Sequence, residues 1–339
     1  MKQWFVLLLS LVLCRQLLAQ EKKPVAIAFY NLENFYDTLN DPNKDDDEFT
    51  PKGINSYTPA VFLKKIENLS DVVSRLGTDQ NPDGIAFMGV AEVENQDVVE
   101  ALCNSPKLKS RHLKCIVFDG PDKRSIDCGF IYNPKYFKVQ QARSLTVPLP
   151  AGESPTRDVL YVTGKLNGEV VHVFVNHWPS RRGGEAATRP KRNLAASVSR
   201  KVIDSLMKVD PNTKVVVMGD LNDDPINESV TKVIGAKAKV SEVKPGDMFN
   251  PFTSFYKKGL GTLAYQDTWG LFDQIMISYG FLNAQPNSAQ FKEAMVFNRG
   301  FMIEKEGQYR GYPKRSYVGG NWNDGYSDHF PTLVFLTAH

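Results

Sequence analysis

Three aspartates and an asparagine follow an apolar run in the segment KVVVMGDLNDDP, residues 214–225. The run Val215–Met218 predicts a buried strand, and Gly219 and Asp220 mark the point where that strand reaches the surface. Side chains alternate along an extended chain, so Asp220 and Asn222 are expected to point the same way. A carboxylate beside an amide suits a hard cation and a phosphate, although Asp and Asn are also common in plain turns.

Other predicted strands also end in polar side chains. The run Val25–Tyr30 leads to Asn31 and Glu33, and the run Ile85–Val90 leads to Glu92. Later strand ends contribute Asn176, His177, Asp273, Asp328 and His329. A carboxylate inside a strand needs a partner, and a histidine is the obvious one for Asp273. If the strands converge on one rim, these side chains form one pocket.

Such a pocket would combine carboxylates, amides and two histidines. Oxygen-rich ligands favour Mg²⁺, Mn²⁺ or Ca²⁺ over zinc, and a histidine paired with a carboxylate is a general acid or base. With a metal to polarise a phosphoryl oxygen, this chemistry is hydrolysis of a phosphodiester or phosphomonoester. Each member has a simpler interpretation: Glu33 and Glu92 as solvated loop acids, His177 as a structural histidine. Recurrence at several strand ends favours the pocket.

The N-terminus is typical of a signal peptide. Its apolar stretch WFVLLLSLVLC is too short to span a bilayer comfortably, and we place cleavage after Ala19, so that the leader is 1–19. The alternative is a lipoprotein anchored through Cys14, but Leu13 is large for such a cleavage site. Removing the leader lowers the formal charge from +3 to +1, so charge alone does not indicate a polyanionic partner. The prediction is a secreted or periplasmic protein.

The rest of the chain, 20–339, shows no linker or repeat and is predicted to be one domain. Thr58 and Pro59 predict the start of a helix, and Asn167-Gly168 predicts a β-hairpin, so the sheet is at least partly antiparallel. Cysteines 103, 115 and 128 have no metal-ligand spacing. The sequence is compatible with two alternatives: a disulfide between Cys103 and Cys115, or three buried free thiols.

Seven segments carry a family resemblance. In order they are NLEN, GVAEVEN, SIDCGFIYNP, VNHWPSRRGGE, VVVMGDLNDDP, FDQIMIS and YSDHFP. Together they resemble the endonuclease/exonuclease/phosphatase superfamily, with pancreatic deoxyribonuclease as the familiar fold and a secreted bacterial member as the expected type. The resemblance implies an α/β fold, a four-layer α/β/β/α sandwich of two mixed, mainly antiparallel sheets with helices on both outer faces.

The resemblance also implies roles for individual residues. Catalytic roles fall to His329, His177, Asp220, Asn222 and Asp273. The residues expected to bind substrate or phosphate are Asn31, Asn176, Asp127 and Arg181. Metal binding falls to Glu92, Glu33 and Asp328, with Mg²⁺ as the expected ion and Mn²⁺ or Ca²⁺ as alternatives.

The predicted function is metal-dependent phosphoester hydrolysis by an activated water, without a covalent intermediate. Nucleic acid, DNA or RNA, is the favoured substrate of a secreted endonuclease. The basic residues between 181 and 192 would follow a phosphate backbone, and the aromatic, basic segment 297–322 would stack bases. The alternatives are a phosphatase or phosphodiesterase for small or lipid phosphates and an inactive binding module. No stable protein partner is implied, and a monomer is expected.

Overall fold

The computed structural model describes residues 24–283, 285 and 288–337; the expected leader lies outside them. The strands are β1 (Val25–Phe35), β2 (Ile85–Val93), β3 (Lys114–Val117), β4 (Asp127–Tyr132), β5 (Phe137–Leu145), β6 (Val159–Leu166), β7 (Glu169–His177), β8 (Lys214–Asp220), β9 (Ala236–Lys237), β10 (Met248–Phe249), β11 (Leu263–Tyr265), β12 (Thr268–Gly270), β13 (Asp273–Ser278), β14 (Gln290–Val296), β15 (Tyr317–Val318), β16 (Asn321–Trp322) and β17 (Thr332–Thr337). The α-helices are α1 (Pro59–Arg75), α2 (Gln96–Cys103), α3 (Glu185–Val209) and α4 (Phe252–Tyr256). Short 3₁₀ turns cover Asp47–Phe49, Lys109–Arg111, Val240–Glu242, Tyr279–Phe281 and Gly300–Met302, and a π-helical turn covers Ser229–Ile234.

The described residues form two large mixed sheets. The six-stranded sheet has the order β14-β17-β1-β2-β4-β3, and the seven-stranded sheet has the order β5-β6-β7-β8-β13-β10-β9. The pairs β1/β2, β7/β8 and β9/β10 are parallel, and the other pairs in these sheets are antiparallel. The expectation of two mixed, mainly antiparallel sheets is confirmed.

The alternation of side chains along the strands builds the layers. In β1, Ile27 and Phe29 face the core between the sheets, whereas Ala28 and Tyr30 face the outer helices. In β8, Val216 and Met218 face the inner core while Val215 and Val217 face α3. Both faces of each sheet are therefore buried, which explains why the central strands read as continuous apolar runs. This is the predicted four-layer sandwich.

Local signals place the connections as expected. Thr58 caps α1 by accepting a hydrogen bond from the backbone N–H of Val61, and Pro59 occupies the first turn. Asn167 and Gly168 both have positive φ, +49° and +98°, and join β6 to β7 in an antiparallel hairpin.

Several elements differ from the sequence prediction. Strand β1 continues to Phe35 and β2 to Val93, past the expected ends at Tyr30 and Val90. The edge strands β5 and β14 were not predicted, because their exposed, polar side chains give no apolar run.

The cysteines at 103, 115 and 128 are free in the structure. A hydrogen bond between the thiols of Cys103 and Cys115, together with burial, raises the pKa of the Cys103 thiol. The two sulfurs therefore lie close enough to interact, and Cys115 is half-buried whereas Cys103 and Cys128 are buried.

Among the described residues, no helix combines the length and apolar character that a membrane crossing requires.

Gly219 is a point of close backbone approach between β8 and β7. A Cβ atom at Gly219 would lie 2.2 Å from the backbone oxygen of Asn176 in the neighbouring strand. We expect Gly219→Ala to lower the free energy of unfolding by about 1–3 kcal/mol, since a backbone atom cannot move aside cheaply. Urea unfolding measures this. The control Gly300→Ala, where a Cβ meets nothing within 4 Å, should change stability by less than about 0.5 kcal/mol; equal effects would contradict the explanation.

Candidate active site

The polar strand ends meet on one rim of the sandwich. Strand β7 runs parallel to β8, so that His177 lies beside Asp220, and β13 runs antiparallel to β8, so that Asp273 lies on the other side of Asp220. Asn31 and Glu92 arrive from the parallel strands of the opposite sheet. Two sheets thus contribute to one cluster, which no single segment could form.

Asn31 joins the two sheets at this rim. Its Nδ2 donates to Glu92 Oε1 and to Asp220 Oδ2, both at 3.1 Å. Its Oδ1 accepts the backbone N–H of Glu33 at 2.9 Å, which fixes the amide orientation. The remaining oxygens are held as well: Glu92 Oε2 accepts the N–H of Asn34, and Asp220 Oδ1 accepts the N–H of Asn222. The two carboxylates are therefore fixed toward each other.

His329 is oriented by Asp273. Its Nδ1 lies 2.7 Å from Asp273 Oδ2, and its Nε2 lies 3.9 Å from Asp220 Oδ2. The backbone N–H of His329 donates to Ser327 Oγ, whose hydroxyl in turn donates to the carbonyl of Asn31. The predicted pairing of Asp273 with a histidine is confirmed by this contact.

His177 lies on the other side of Asp220. Its Nε2 is 3.6 Å from Asp220 Oδ2 and 3.9 Å from Glu92 Oε1. Its Nδ1 is buried and has no hydrogen-bond partner among the described residues. The ring is therefore held by packing and faces the carboxylates with Nε2.

The two histidines differ in charge. Burial lowers the pKa of His329, but the carboxylates of Asp273 and Asp220 outweigh burial and raise it well above its usual value. Burial, reinforced by nearby arginines, lowers the pKa of His177 well below its usual value. Burial also raises the pKa of Asp220 to about 6, against the opposing charge of His329. These shifts favour an imidazolium at His329, a neutral imidazole at His177 and an ionised Asp220 at neutral pH.

The donor set fits a divalent cation. Ligand atoms of Glu92, His177 and Asp220 all lie within 4.8 Å of one another, as do those of Asp220, Asp273 and His329. The first group offers carboxylate oxygens, the ligand type that Mg²⁺ and Mn²⁺ prefer. One oxygen of Asp273, Oδ1, is buried without a partner among the described residues.

The strand ends leave the pleated conformation where they enter the site. Glu33, Asn34, Glu92 and Asn222 have φ between +48° and +58°, a region that non-glycine residues rarely adopt. Such strain is typical of sites whose surroundings fix the backbone. It also invalidates the alternation argument, because a left-handed residue turns the following side chain away from its expected face.

Glu33 and Asp328, predicted as metal ligands, both contact an arginine. Arg315 binds Glu33 Oε1 at 3.3 Å and Asp328 Oδ2 at 3.1 Å. Glu33 Oε2 also accepts the N–H of Ser316 at 2.6 Å. Burial and the charge of Asp328 raise the pKa of Glu33 to about 7. Of the three predicted metal ligands, only Glu92 belongs to a group with the spacing of a metal site.

Asn176 and Arg181, predicted to bind phosphate, are occupied by protein contacts. Asn176 is fully buried, and its amide bonds the carbonyls of Phe174 and Met218, the indole of Trp178 and the hydroxyl of Ser199. Its role is to position the end of β7. Arg181 donates to the carbonyl of Asn222 and to the side chains of Asp223, Asp224 and Asn227. It holds the loop after β8.

Asn222 and Asp127 also bond to the protein itself. Asn222 Nδ2 donates to the carbonyl of Trp178 at 3.0 Å, which ties the loop after β8 to the end of β7. Asp127 Oδ2 accepts the N–H of Gly120 at 2.9 Å. Within the described residues, Asp127 forms no hydrogen bond with the polar cluster at the strand ends.

The sequence analysis missed Arg157, and it wrongly expected Arg192, which is fully buried, to follow a phosphate backbone. Arg157 donates to the carbonyl of Trp178 at 2.7 Å, and Arg192 forms a fully buried ion pair with Asp223 at 2.7 Å. Both support the loops that carry His177 and Asn222. No local pattern indicates that these arginines are buried, because Arg157 lies in the segment before β6, Arg192 lies within α3, and the partners of both are distant in sequence.

A family model described as the endonuclease/exonuclease/phosphatase family matches residues 26–338. The chain belongs to this family. Its members are phosphoesterase hydrolases, and the cluster at the strand ends is therefore the candidate active site. No curated protein matches the chain significantly.

Solved structures share the fold. TDP2 from D. rerio complexed with single-strand DNA product is 13% identical with a TM-score of 0.55, covering 92% of this chain and 98% of that one. A mannosyl-6-phosphatase from Bacteroides thetaiotaomicron is 15% identical with a TM-score of 0.55, covering 92% and 99%. A family protein from the same organism is 14% identical with a TM-score of 0.54, covering 94% and 99%. At these low sequence identities, the similarity shows a shared fold only.

Asp273 should control the charge of His329. Replacing the carboxylate by an amide in Asp273→Asn removes a negative charge 2.7 Å from Nδ1, so the pKa of His329 should fall toward or below its usual value of about 6.5. An NMR titration of the imidazole in metal-free protein measures this. The control His112→Asn should leave the His329 titration unchanged. An unchanged pKa in Asp273→Asn would show that Asp273 is not the dominant partner.

Asp127 should make stability depend on pH. Burial raises its pKa to about 7 in the folded protein, whereas the unfolded chain titrates near about 3.9. The folded state therefore binds more protons, and Asp127 lowers stability progressively as pH rises from about 4 to about 7. Asp127→Asn, which keeps an acceptor for Gly120, should stabilise the protein most above about pH 7 and little near pH 4. Urea unfolding at several pH values tests this, with the exposed Asp204→Asn as control.

Proposed function

We propose that the protein is a secreted, divalent-metal-dependent phosphodiesterase that hydrolyses nucleic acid by attack of an activated water. The observation that carries this proposal is the arrangement around Asp220, which lies between Asn31 and Glu92 on one side and His329, held by Asp273, on the other. Carboxylates, an amide and an imidazolium around one small site suit a phosphate that must be held while water attacks it.

Asp220 and His329 divide the proton chemistry in this proposal. Asp220, with a pKa of about 6, is ionised at neutral pH and accepts the proton of the attacking water. His329 is protonated, because its pKa lies well above the usual value, and its Nε2 donates to a phosphoryl oxygen as negative charge develops there. Asp273 fixes the ring orientation through Nδ1. His177 is neutral and supplies a hydrogen bond to the phosphate or the leaving oxygen.

Glu92 is the residue proposed to hold the metal, and Asn31 orients its carboxylate toward Asp220. The ion would polarise a phosphoryl oxygen and stabilise the charge of the transition state. Mg²⁺ is the proposed ion, and Mn²⁺ and Ca²⁺ offer the same preference for oxygen ligands.

An aromatic cleft supports a nucleic-acid substrate. It has a volume of about 650 Å³ and is lined by Tyr265, Tyr309 and Tyr312 together with Arg315 and Asp328. Tyr265 is 73% exposed, so its ring is free to stack on a base. Because Asp328 precedes His329, the cleft opens beside the site. The TDP2 structure that shares this fold was determined with single-strand DNA product.

A phosphatase for small substrates is the second candidate. The fold is shared with a mannosyl-6-phosphatase, and the arrangement of side chains around His329 could bind the phosphate of a monoester as well as that of a diester.

Export is part of the main proposal and is supported by the leader-like sequence at 1–19. The inactive binding module is disfavoured because His329 is oriented by Asp273 and Asp220 is oriented by Asn31 and the N–H of Asn222.

The proposal is tested with mature protein, Mg²⁺ and a panel of oligonucleotides and small phosphoesters. We expect release of nucleotides that EDTA abolishes and that His329→Asn lowers by about 10²–10⁴-fold, the range for loss of an acid–base group. His112→Asn is the matched control, because His112 is exposed and has a positive φ that asparagine tolerates. Turnover of small monoesters alone would support the phosphatase, and no turnover with any divalent ion would support the binding module.

A further inference from the structure

A separate pocket of about 460 Å³ lies beside the candidate active site on the side of His177. Its walls include Thr156 and Arg157 from the segment before β6, and Pro179 and Ser180 from the segment that follows His177. The chain that carries the histidine therefore continues directly into the wall of this pocket.

Hydrogen bonds connect the pocket to the site. The carbonyl of Trp178 accepts one bond from Arg157 Nη2 at 2.7 Å and another from Asn222 Nδ2 at 3.0 Å. Arg157 Nη1 lies 3.3 Å from Asp122 Oδ2, and Asp122 also binds Arg124. The arginines are thereby fixed at the boundary between the pocket and the site.

Two buried donors in the pocket wall lack acceptors. Arg157 is only 5% exposed, and its Nε has no hydrogen-bond partner among the described residues; the same holds for the hydroxyl of Thr156. An unsatisfied buried donor is costly. A ligand rich in acceptor oxygens would satisfy both groups, whereas an apolar ligand would satisfy neither.

The charge of the pocket selects an anion. Arg124 and Arg157 share the single carboxylate of Asp122. Lys123 and Arg182 also line the pocket, and in the described part of the chain neither forms an ion pair. The other charged residues of the lining are Asp45 and the ion pair of Lys191 with Glu153, so five cations line the pocket against three carboxylates. Positive charge therefore exceeds negative charge, and Lys123 and Arg182 are available to a ligand.

We propose that this pocket binds a second phosphate of the substrate, next to the phosphate that is cleaved. Arginine donors match phosphate oxygens in geometry and charge. The inference rests on the proposed function and narrows its substrate class to phosphodiesters that carry a neighbouring phosphate, as an oligonucleotide does. The aromatic cleft on the Asp328 side then takes the part of the substrate that extends in the opposite direction.

The test compares matched substrates. Thymidine 5′-(p-nitrophenyl phosphate) is assayed with and without a 3′-phosphate, and thymidine 3′-(p-nitrophenyl phosphate) with and without a 5′-phosphate, so that both directions along the strand are covered. We expect the extra phosphate to lower KM about tenfold or more in one pair. The double variant Lys123→Ala/Arg182→Ala should bring that ratio close to one. Lys201→Ala/Lys208→Ala removes the same charge from exposed positions on α3 and should keep the ratio.

The possible results separate the two proposals. Equal KM values within both pairs of substrates, or an unchanged ratio in Lys123→Ala/Arg182→Ala, would overturn the second-phosphate site while leaving the phosphodiesterase intact. Absence of turnover for every ester would overturn the proposed function instead. In that case calorimetric binding of thymidine 3′,5′-bisphosphate against the two thymidine monophosphates tests the pocket. Tighter binding of the bisphosphate that is lost in the double variant would support the site, and equal binding would overturn it.

Discussion

The burial of negative charge at the end of β8 and the start of β13 is the constraint on which the rest of this structure depends. Asp220 and Asp273 lie opposite each other in neighbouring strands and are 3% and 0% exposed. Two such carboxylates would be expensive to bury without compensation. His329 supplies a positive charge at 2.7 Å from Asp273, and Asn31 supplies an amide donor to Asp220. The surroundings therefore select a protonated histidine and an ionised Asp220, the pair that phosphate chemistry can use.

Fixing these groups requires support from outside the rim. The loop after β8 is held by the buried ion pair of Arg192 with Asp223 and by the hydrogen bond from Arg181 to the carbonyl of Asn222. The end of β7 is held by Arg157 through the carbonyl of Trp178. A buried ion pair is weak evidence for stability, but it fixes geometry, since removing one partner leaves an uncompensated charge. Residues outside the cluster thus determine where the side chains of His177 and Asp220 lie.

The two pockets beside the rim have different chemistry. The cleft near Asp328 is lined by tyrosines, and the pocket near His177 is lined by arginine and lysine side chains. The full sequence has a formal charge of only +3, yet positive charge is concentrated beside the site. Local arrangement, rather than net charge, therefore decides which anion the protein can attract. The fold is shared with phosphoesterases of different substrates, as expected when function is carried by loops on a common scaffold.

The sequence alone determined the central strands, the capped helix α1, the hairpin at Asn167-Gly168 and the family, because these depend on local patterns and on motifs of adjacent residues. The contact of Asp273 with a histidine followed from the cost of a lone buried carboxylate. Only the tertiary structure decided which polar strand ends share the site. Left-handed residues such as Glu33 and Asn222 break the alternation, and distant arginines such as Arg315 compete for predicted ligands. These interactions join residues far apart in sequence, and the folded backbone brings them together.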